Sequence, residues 1–315
     1  MNGATVLVEL LKAYNVNVIF GVPGDTSIQF YEALHDAEND IVHVMARDER
    51  SASFMADAYA QISHKPGICE CPSGAGPLYA IPGVAETDAS SIPVIILTSD
   101  IPLSGEGKKT ITELNCQKLF EPVTKWSAQV KHVNQLPQII RRAFRIATSG
   151  RPGAVHLALP LEVVTEDFTE STREIYCESD CQSYPAFRTR GSRKILEAAA
   201  KLLIDAKKPL IIAGGGAKHS QAQKEISELS QILMAPVVTT ISGQGIMPDN
   251  ELLALGVTGD NGFHPHAHQA VKEGDVLLYI GCKMGSVSTI KWTLPSRESE
   301  QTIIQIEYPR YFDTF

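Results

Sequence analysis

The chain has 315 residues, 43% of them apolar and 20% charged, with a formal net charge of -8. That length suits two hydrophobic cores better than one. The acidic balance has no basic stripe and argues against nucleic acid as a partner; no apolar run approaches the roughly 18 residues of a membrane span, and no basic segment leads into an apolar leader, so the cytoplasm is the expected compartment.

In chain order, "ATVLVELLKAY" places Val6, Leu7, Leu10, Leu11 and Tyr14 on one helical face. "NVIFGVPG" reads as a short strand ending in a glycine–proline turn, with a helix following from about Thr26 to His35. A strand over 41–45 then runs into Arg47-Asp48-Glu49-Arg50 and a small-residue helix, in which Ala52, Met55, Ala56 and Tyr59 form the expected core-facing stripe. The strand "GICEC", a helix through "LYAIPGVAETDASS" and the apolar strand "IPVIILTSD" come next. Beyond a polar loop at 101–115, "VTKWSAQV", "LPQIIRRAFRIAT" and "GAVHLAL" alternate strand, helix, strand. Residues 166–190 are acidic and poor in apolar side chains, and read as a linker. From 191 the alternation resumes: helices over 192–205, 220–233 and near 266–273, with the strands "PLIIAGG", "APVVTT", "DVLLYIG" and "TIIQIE". Near-continuous apolar strands between helices imply an α/β protein of two doubly wound, mostly parallel-sheet domains, over 1–165 and 191–315.

Six cysteines are present. Cys69 and Cys71 would share one face of their strand as buried thiols, while Cys177 and Cys181 have no second pair to complete four metal ligands. The cluster His264, His266 and His268 likewise has no carboxylate pattern around it.

Ligands of open parallel sheets bind at the carboxyl ends of strands. Three pieces meet there in the first domain: Gly21-Val22-Pro23-Gly24 after one strand, Glu49 after the next, and Ser73-Gly74-Ala75-Gly76-Pro77 after the third. Glycines let a ligand approach the backbone, and a helix N-terminus offers free N–H groups. A glutamate among them is desolvated and suited to sharing a proton; equally, it could cap its helix. Position alone leaves both readings open.

The segments "FGVPGD", "RDERSASFMADAYA", "KPGIC", "PSGAGP", "SSIPVIILTSD", "TKWS" and "SGRPGAVHLALP" resemble, in order and context, the thiamine-diphosphate enzymes of the acetolactate synthase, pyruvate oxidase and benzoylformate decarboxylase superfamily. The likeness covers the pyrimidine-binding domain of that superfamily. It continues into its Rossmann-like central domain through "PLIIAGGG", "MAPVVTTISGQGIMPDN" and "GDVLLYIGCKMG". The resemblance implies that Glu49 is the catalytic glutamate that hydrogen-bonds the cofactor's aminopyrimidine, so that the thiazolium carbon can lose its proton and attack a 2-oxo acid. It also implies that Pro23, Gly24, Gly74, Ala75, Gly76, Tyr79 and Thr112 line the cofactor. Ala75 replaces a proline of the family's turn, Tyr79 stands where acetolactate synthases usually have an asparagine, and Ile111-Thr112 replaces their Phe-Gln before a shared Glu113. Lyase and ligase chemistry therefore both fit.

Family members hold Mg2+ and the diphosphate in a third domain through Gly-Asp-Gly and a later asparagine. Here "TGDNG" reads Gly-Asp-Asn and no asparagine follows Asn261. The expectation is a chain cut before that domain, or one completed by another polypeptide, inactive alone and paired as a homodimer or homotetramer. Gly214-Gly215-Gly216 stands at a dinucleotide position, but His219 occupies the third-glycine place, which disfavours NAD. FAD, held in this domain by some relatives, is possible but not favoured. The alternative is a regulatory or scaffolding relative that keeps the fold without the chemistry.

Overall fold

The computed structural model describes residues 1–262, 264–296 and 300–308. The chain forms two compact units, Met1–Phe187 and Arg188–Phe315.

The first unit runs α1 (Gly3–Ala13), β1 (Val18–Gly21), α2 (Ile28–Asp36), β2 (Val42–Met45), α3 (Glu49–Ser63), β3 (Gly67–Cys71), α4 (Ala75–Ser90), β4 (Val94–Asp100), α5 (Cys116–Phe120), β5 (Trp126–Gln129), α6 (Leu136–Thr148), β6 (Val155–Pro160) and α7 (Leu161–Thr165). Its six strands are parallel in the order β2-β1-β3-β4-β6-β5. Alternation along the strands divides the core. Ile68, Ile95, Leu97 and Leu157 face α1, α2 and α6, whereas Cys69, Cys71, Val94 and Ile96 face α3 and α4. Both faces are covered, which is why these strands read as unbroken apolar runs. After β1 the chain moves to β2 on one side, then crosses to β3 on the other. The switch point thus lies between β1 and β3, where ligands of such sheets bind.

Two local readings need correction. The buried stripe of α3 is Glu49, Ala52, Ser53, Ala56, Asp57 and Ala60, with Met55 exposed. The helix packs closely through small residues: a Cβ on Gly83 of α4 would stand 2.1 Å from Ser53 Oγ, and one on Gly67 would stand 2.2 Å from the Ala56 carbonyl oxygen. Close backbone approach selects Ala and Ser there, so bulk misled the helical pattern. The presumed linker also belongs, as far as Phe187, to the first unit. Phe168 and Ile175 pack on its core, Cys181 and Tyr184 are buried, and the Tyr184 hydroxyl donates to the Ala60 carbonyl at 2.9 Å. A few apolar anchors fasten an otherwise polar segment.

The second unit runs α8 (Arg193–Asp205), β7 (Pro209–Ala213), α9 (Gly215–His219), α10 (Gln223–Leu233), β8 (Val237–Thr239), β9 (Ala254–Val257), α11 (Pro265–Glu273), β10 (Val276–Ile280) and β11 (Thr302–Ile306). Its strands are parallel in the order β11-β10-β7-β8-β9, with the switch point between β7 and β10. The short edge strand β9 carries no clear alternation and was not foreseen. Both units are thus doubly wound α/β sheets, as their sequence patterns imply. No described helix is long and apolar enough to cross a membrane.

Candidate cofactor site

The switch point of the first sheet gathers the two glycine turns. Gly24, after β1, lies so close to Pro72, after β3, that a Cβ on the glycine would stand 2.4 Å from the proline Cβ. The turns are tied further by the Ser73 amide, which donates to Thr26 Oγ1 at 3.0 Å, while the Gly24 amide closes its own turn by donating to Ser27 Oγ at 3.0 Å. Gly74 adopts φ +84°, a backbone region that disfavours any Cβ. Thr112 sits over it, with its hydroxyl 2.7 Å from Ser73 Oγ. A Cβ on Gly74 would meet Thr112 Cβ at 3.0 Å.

Glu49 is the first residue of α3 and is buried, at 9% exposure. Its carboxylate lies against the bare Cα of Gly76, where a Cβ would stand 2.8 Å from Glu49 Oε1 and 3.1 Å from Pro72 Cδ. Asp48, rather than Glu49, caps the helix, its Oδ1 accepting from the Ser51 amide at 2.8 Å. Glu49 is therefore free of the structural duty that could have explained it. Among the described residues its carboxylate has no hydrogen-bond partner. A largely buried side chain whose carboxylate is left without a protein partner has its oxygens open to a ligand.

The other candidates divide. Gly24, Gly74, Gly76 and Thr112 join Glu49 and Pro72 in this cluster, with Thr112 on its exposed side. Pro23 and Ala75 are exposed members of the same turns. Tyr79, at 60% exposure, stands one turn along α4 and has no hydrogen bond to the cluster among the described residues. Glu113 accepts from the amides of Gly107 at 2.6 Å and Thr110 at 3.2 Å, closing its own loop. That loop borders a separate cleft of about 300 Å³ at the end of β4, lined by Asp100, Glu106, Cys116 and Gln129.

Sequence reading missed Glu70. It is the penultimate residue of the apolar strand "GICEC" and is buried on the α2 side of the sheet. A charged residue inside a short buried strand was the available signal, and the flanking cysteines drew attention away from it. Tyr31 Oη donates to Glu70 Oε2 at 2.7 Å, and Ser99 Oγ donates to Oε1 at 3.3 Å.

The histidines and cysteines flagged above have other partners. Cys69 and Cys71 are buried with their sulfurs 4.0 Å apart. His264 Nδ1 accepts from the Val257 amide at 2.9 Å, and His268 Nε2 lies 3.1 Å from the Gly259 amide. In the second unit, Gly214 and Gly216 abut the loop after β10: a Cβ on Gly214 would stand 2.3 Å from the Gly281 carbonyl oxygen, and one on Gly216 2.8 Å from the Gly281 Cα.

Comparison with known proteins matches residues 1–119 to the "Thiamine pyrophosphate enzyme, N-terminal TPP binding domain" and residues 196–310 to the "Thiamine pyrophosphate enzyme, central domain". Among curated relatives, the "Probable acetolactate synthase large subunit" of Methanocaldococcus jannaschii is 37% identical over 309 residues, covering 98% of this chain and 51% of that protein. The "Probable acetolactate synthase large subunit" of Methanococcus aeolicus is 38% identical over 283 residues, covering 90% of this chain and 47% of its own length. The "Acetolactate synthase isozyme 1 large subunit" of Escherichia coli is 31% identical over 281 residues, covering 89% and 48%. The chain thus spans about half the length of the curated relatives it matches. With a parallel sheet whose switch point holds two glycine turns and a buried, unpartnered glutamate, and with both domain models matched, the chain belongs to the thiamine pyrophosphate enzyme family.

Proposed function

We propose that this chain serves a thiamine-diphosphate-dependent reaction that forms or breaks a carbon–carbon bond of a 2-oxo acid, of the acetolactate synthase or 2-oxo-acid decarboxylase kind, and that Glu49 is its proton-handling acid. The observation that carries the reading is the Glu49 carboxylate, buried at 9% exposure, relieved of capping by Asp48 and facing the bare Cα of Gly76.

The residues fit the aminopyrimidine end of the cofactor. Gly24, Gly74 and Gly76 let Pro72, Thr112 and the Glu49 carboxylate close in on the turns, and Glu49 offers an oxygen to a ring nitrogen. When bound, thiamine diphosphate supplies a carbon nucleophile and an electron sink for the 2-oxo acid. The chain's own part is to orient and to handle a proton. Pro72 and Thr112 brace the turns from two sides, and α3 fixes Glu49 at its first residue. Mg2+ and the diphosphate need oxygen ligands of the Gly-Asp-Gly and asparagine kind, which this sequence does not contain, so the 315 residues alone are expected to hold the cofactor weakly and to turn nothing over. No observation favours FAD. Two copies are expected to associate through the first unit, where α3 and α4 expose Phe54, Met55, Leu78 and Tyr79. Sedimentation should therefore give at least a dimer.

The test is a panel of 2-oxo acids with thiamine diphosphate and Mg2+, using the complete enzyme and its Glu49→Gln variant. Glu49→Gln should lower kcat/KM roughly 10²–10⁴-fold while leaving the unfolding midpoint nearly unchanged. Turnover at the wild-type rate would end the proposal.

A further inference from the structure

Thr112 meets the cradle of glycine turns in a conformation that its own residue type resists. Its φ is +67°, a left-handed backbone setting that is strained for a β-branched side chain. In that setting it stands over Gly74, with its hydroxyl 2.7 Å from Ser73 Oγ. The preceding residues include two more of positive φ, Gly107 at +74° and Lys109 at +61°. A segment of this kind keeps one shape only where surrounding bonds over-determine it.

Those bonds converge on Glu113. One of its carboxylate oxygens accepts from the Gly107 amide at 2.6 Å, and the other accepts from the Thr110 amide at 3.2 Å. The Glu113 amide donates in return to the Thr110 carbonyl at 3.0 Å. Residues 110–113 are thus a four-residue turn closed from both ends. Thr112 occupies its third place, where a positive φ is usually left to glycine. The Thr110 hydroxyl extends the grip by donating to the Gly105 carbonyl at 2.7 Å.

We propose that Glu113 is a positioning residue for the cofactor site: by accepting both amides it holds the 110–113 turn shut and keeps Thr112 against Ser73 and Gly74. The inference rests on the reading of the cradle as the seat of the aminopyrimidine, and adds to it the group that fixes the cradle's exposed wall. Both Glu113 oxygens are taken up by the loop, so Glu113 acts through Thr112 rather than by touching the cofactor.

Two measurements test the two links. Amide hydrogen exchange on this chain, without cofactor, reads the first. The Gly107 and Thr110 amides should be protected in the wild type and exchange at least roughly tenfold faster in Glu113→Ala, which removes both acceptors. Glu113 is exposed, so the variant is expected to fold. The second link is read by a double-mutant cycle on thiamine diphosphate affinity in the complete enzyme. Glu113→Ala should weaken binding roughly tenfold, about the worth of one hydrogen bond to a charged group, while kcat at saturating cofactor falls much less because Glu49 is untouched. Thr112→Val should weaken binding only a few-fold. Adding Thr112→Val to Glu113→Ala should cost little more, since the threonine has already left Ser73. Losses that multiply in the double variant would mean that Glu113 does not act through Thr112, and would overturn the proposal. So would wild-type amides that exchange freely, or amides released in Glu113→Ala with the affinity intact. The exchange measurement uses no thiamine diphosphate, and failure of the cofactor reading would be seen separately, as unchanged turnover in Glu49→Gln.

Discussion

At the switch point of the first sheet, between β1 and β3, Gly24 and Gly76 lie against Pro72 and the carboxylate of Glu49. At the equivalent point of the second sheet, between β7 and β10, Gly214 and Gly216 lie against the backbone of Gly281. Both pairs look alike in sequence, since each follows an apolar strand and opens a helix. The physical difference is what fills the missing Cβ space. In the second unit it is peptide backbone, so the glycines let two loops pack. In the first unit, at Gly76, it is the far end of a side chain that has no other partner. A glycine turn at a switch point becomes a site signal only when a functional group, and not another turn, occupies the gap it leaves.

Substitutions to alanine at the two places should separate these roles. The largest effect is expected for Gly76→Ala, whose Cβ would stand 2.8 Å from Glu49 Oε1. The carboxylate must swing away, and on the proposed role of Glu49 a displacement of about 1 Å should cost roughly 10²-fold in kcat/KM. Because a flexible side-chain end absorbs the clash, the unfolding midpoint should barely move. Gly214→Ala should do the opposite. Its Cβ would meet the Gly281 carbonyl oxygen at 2.3 Å, where backbone must give way, lowering stability by about 2 kcal/mol without changing the affinity for thiamine diphosphate. Calorimetric unfolding and cofactor titration of the two variants give the contrast directly. If Gly214→Ala weakened cofactor binding as much as Gly76→Ala, the distinction between the units would fail.

The smallest effect is expected at the rim. Thr112→Val removes the 2.7 Å contact with Ser73 Oγ, and Thr112 is exposed, so a loss of about 0.5 kcal/mol is predicted with kcat/KM reduced only a few-fold. Urea denaturation is sensitive enough to detect it. A large change would mean that this threonine shapes the cradle more than its exposure suggests.

Much of this architecture is legible in the residues. Strands buried on both faces announce themselves as apolar runs, and, short α5, α9 and the edge strand β9 apart, the order of helices and strands through β6 and again from α8 follows from punctuation by glycine, proline and capping residues. That Gly24, Gly74, Gly76 and Glu49 lie together is legible because they fall at strand ends, where backbone conformation and helix termini leave a trace in the sequence. What escaped depends on contacts between distant segments. The buried stripe of α3 is made of Ala, Ser and Asp because α4 approaches closely, and periodicity of large apolar residues cannot register that. Residues 166–187 look like a tether because their few anchors, such as Phe168 and Tyr184, are spread along a polar stretch. The link from Glu70 to Tyr31 joins positions 39 residues apart. The capping role first open to Glu49 was decided by a hydrogen bond that belongs to its neighbour Asp48.

The most direct measurement is hydrogen–deuterium exchange at the thiazolium carbon of thiamine diphosphate bound to the complete enzyme, followed by NMR after acid quench. In the wild type exchange should be fast, and in Glu49→Gln it should slow at least about 10²-fold with the cofactor still bound. Equal exchange rates in the two proteins would contradict the assignment of Glu49 as the proton-handling acid.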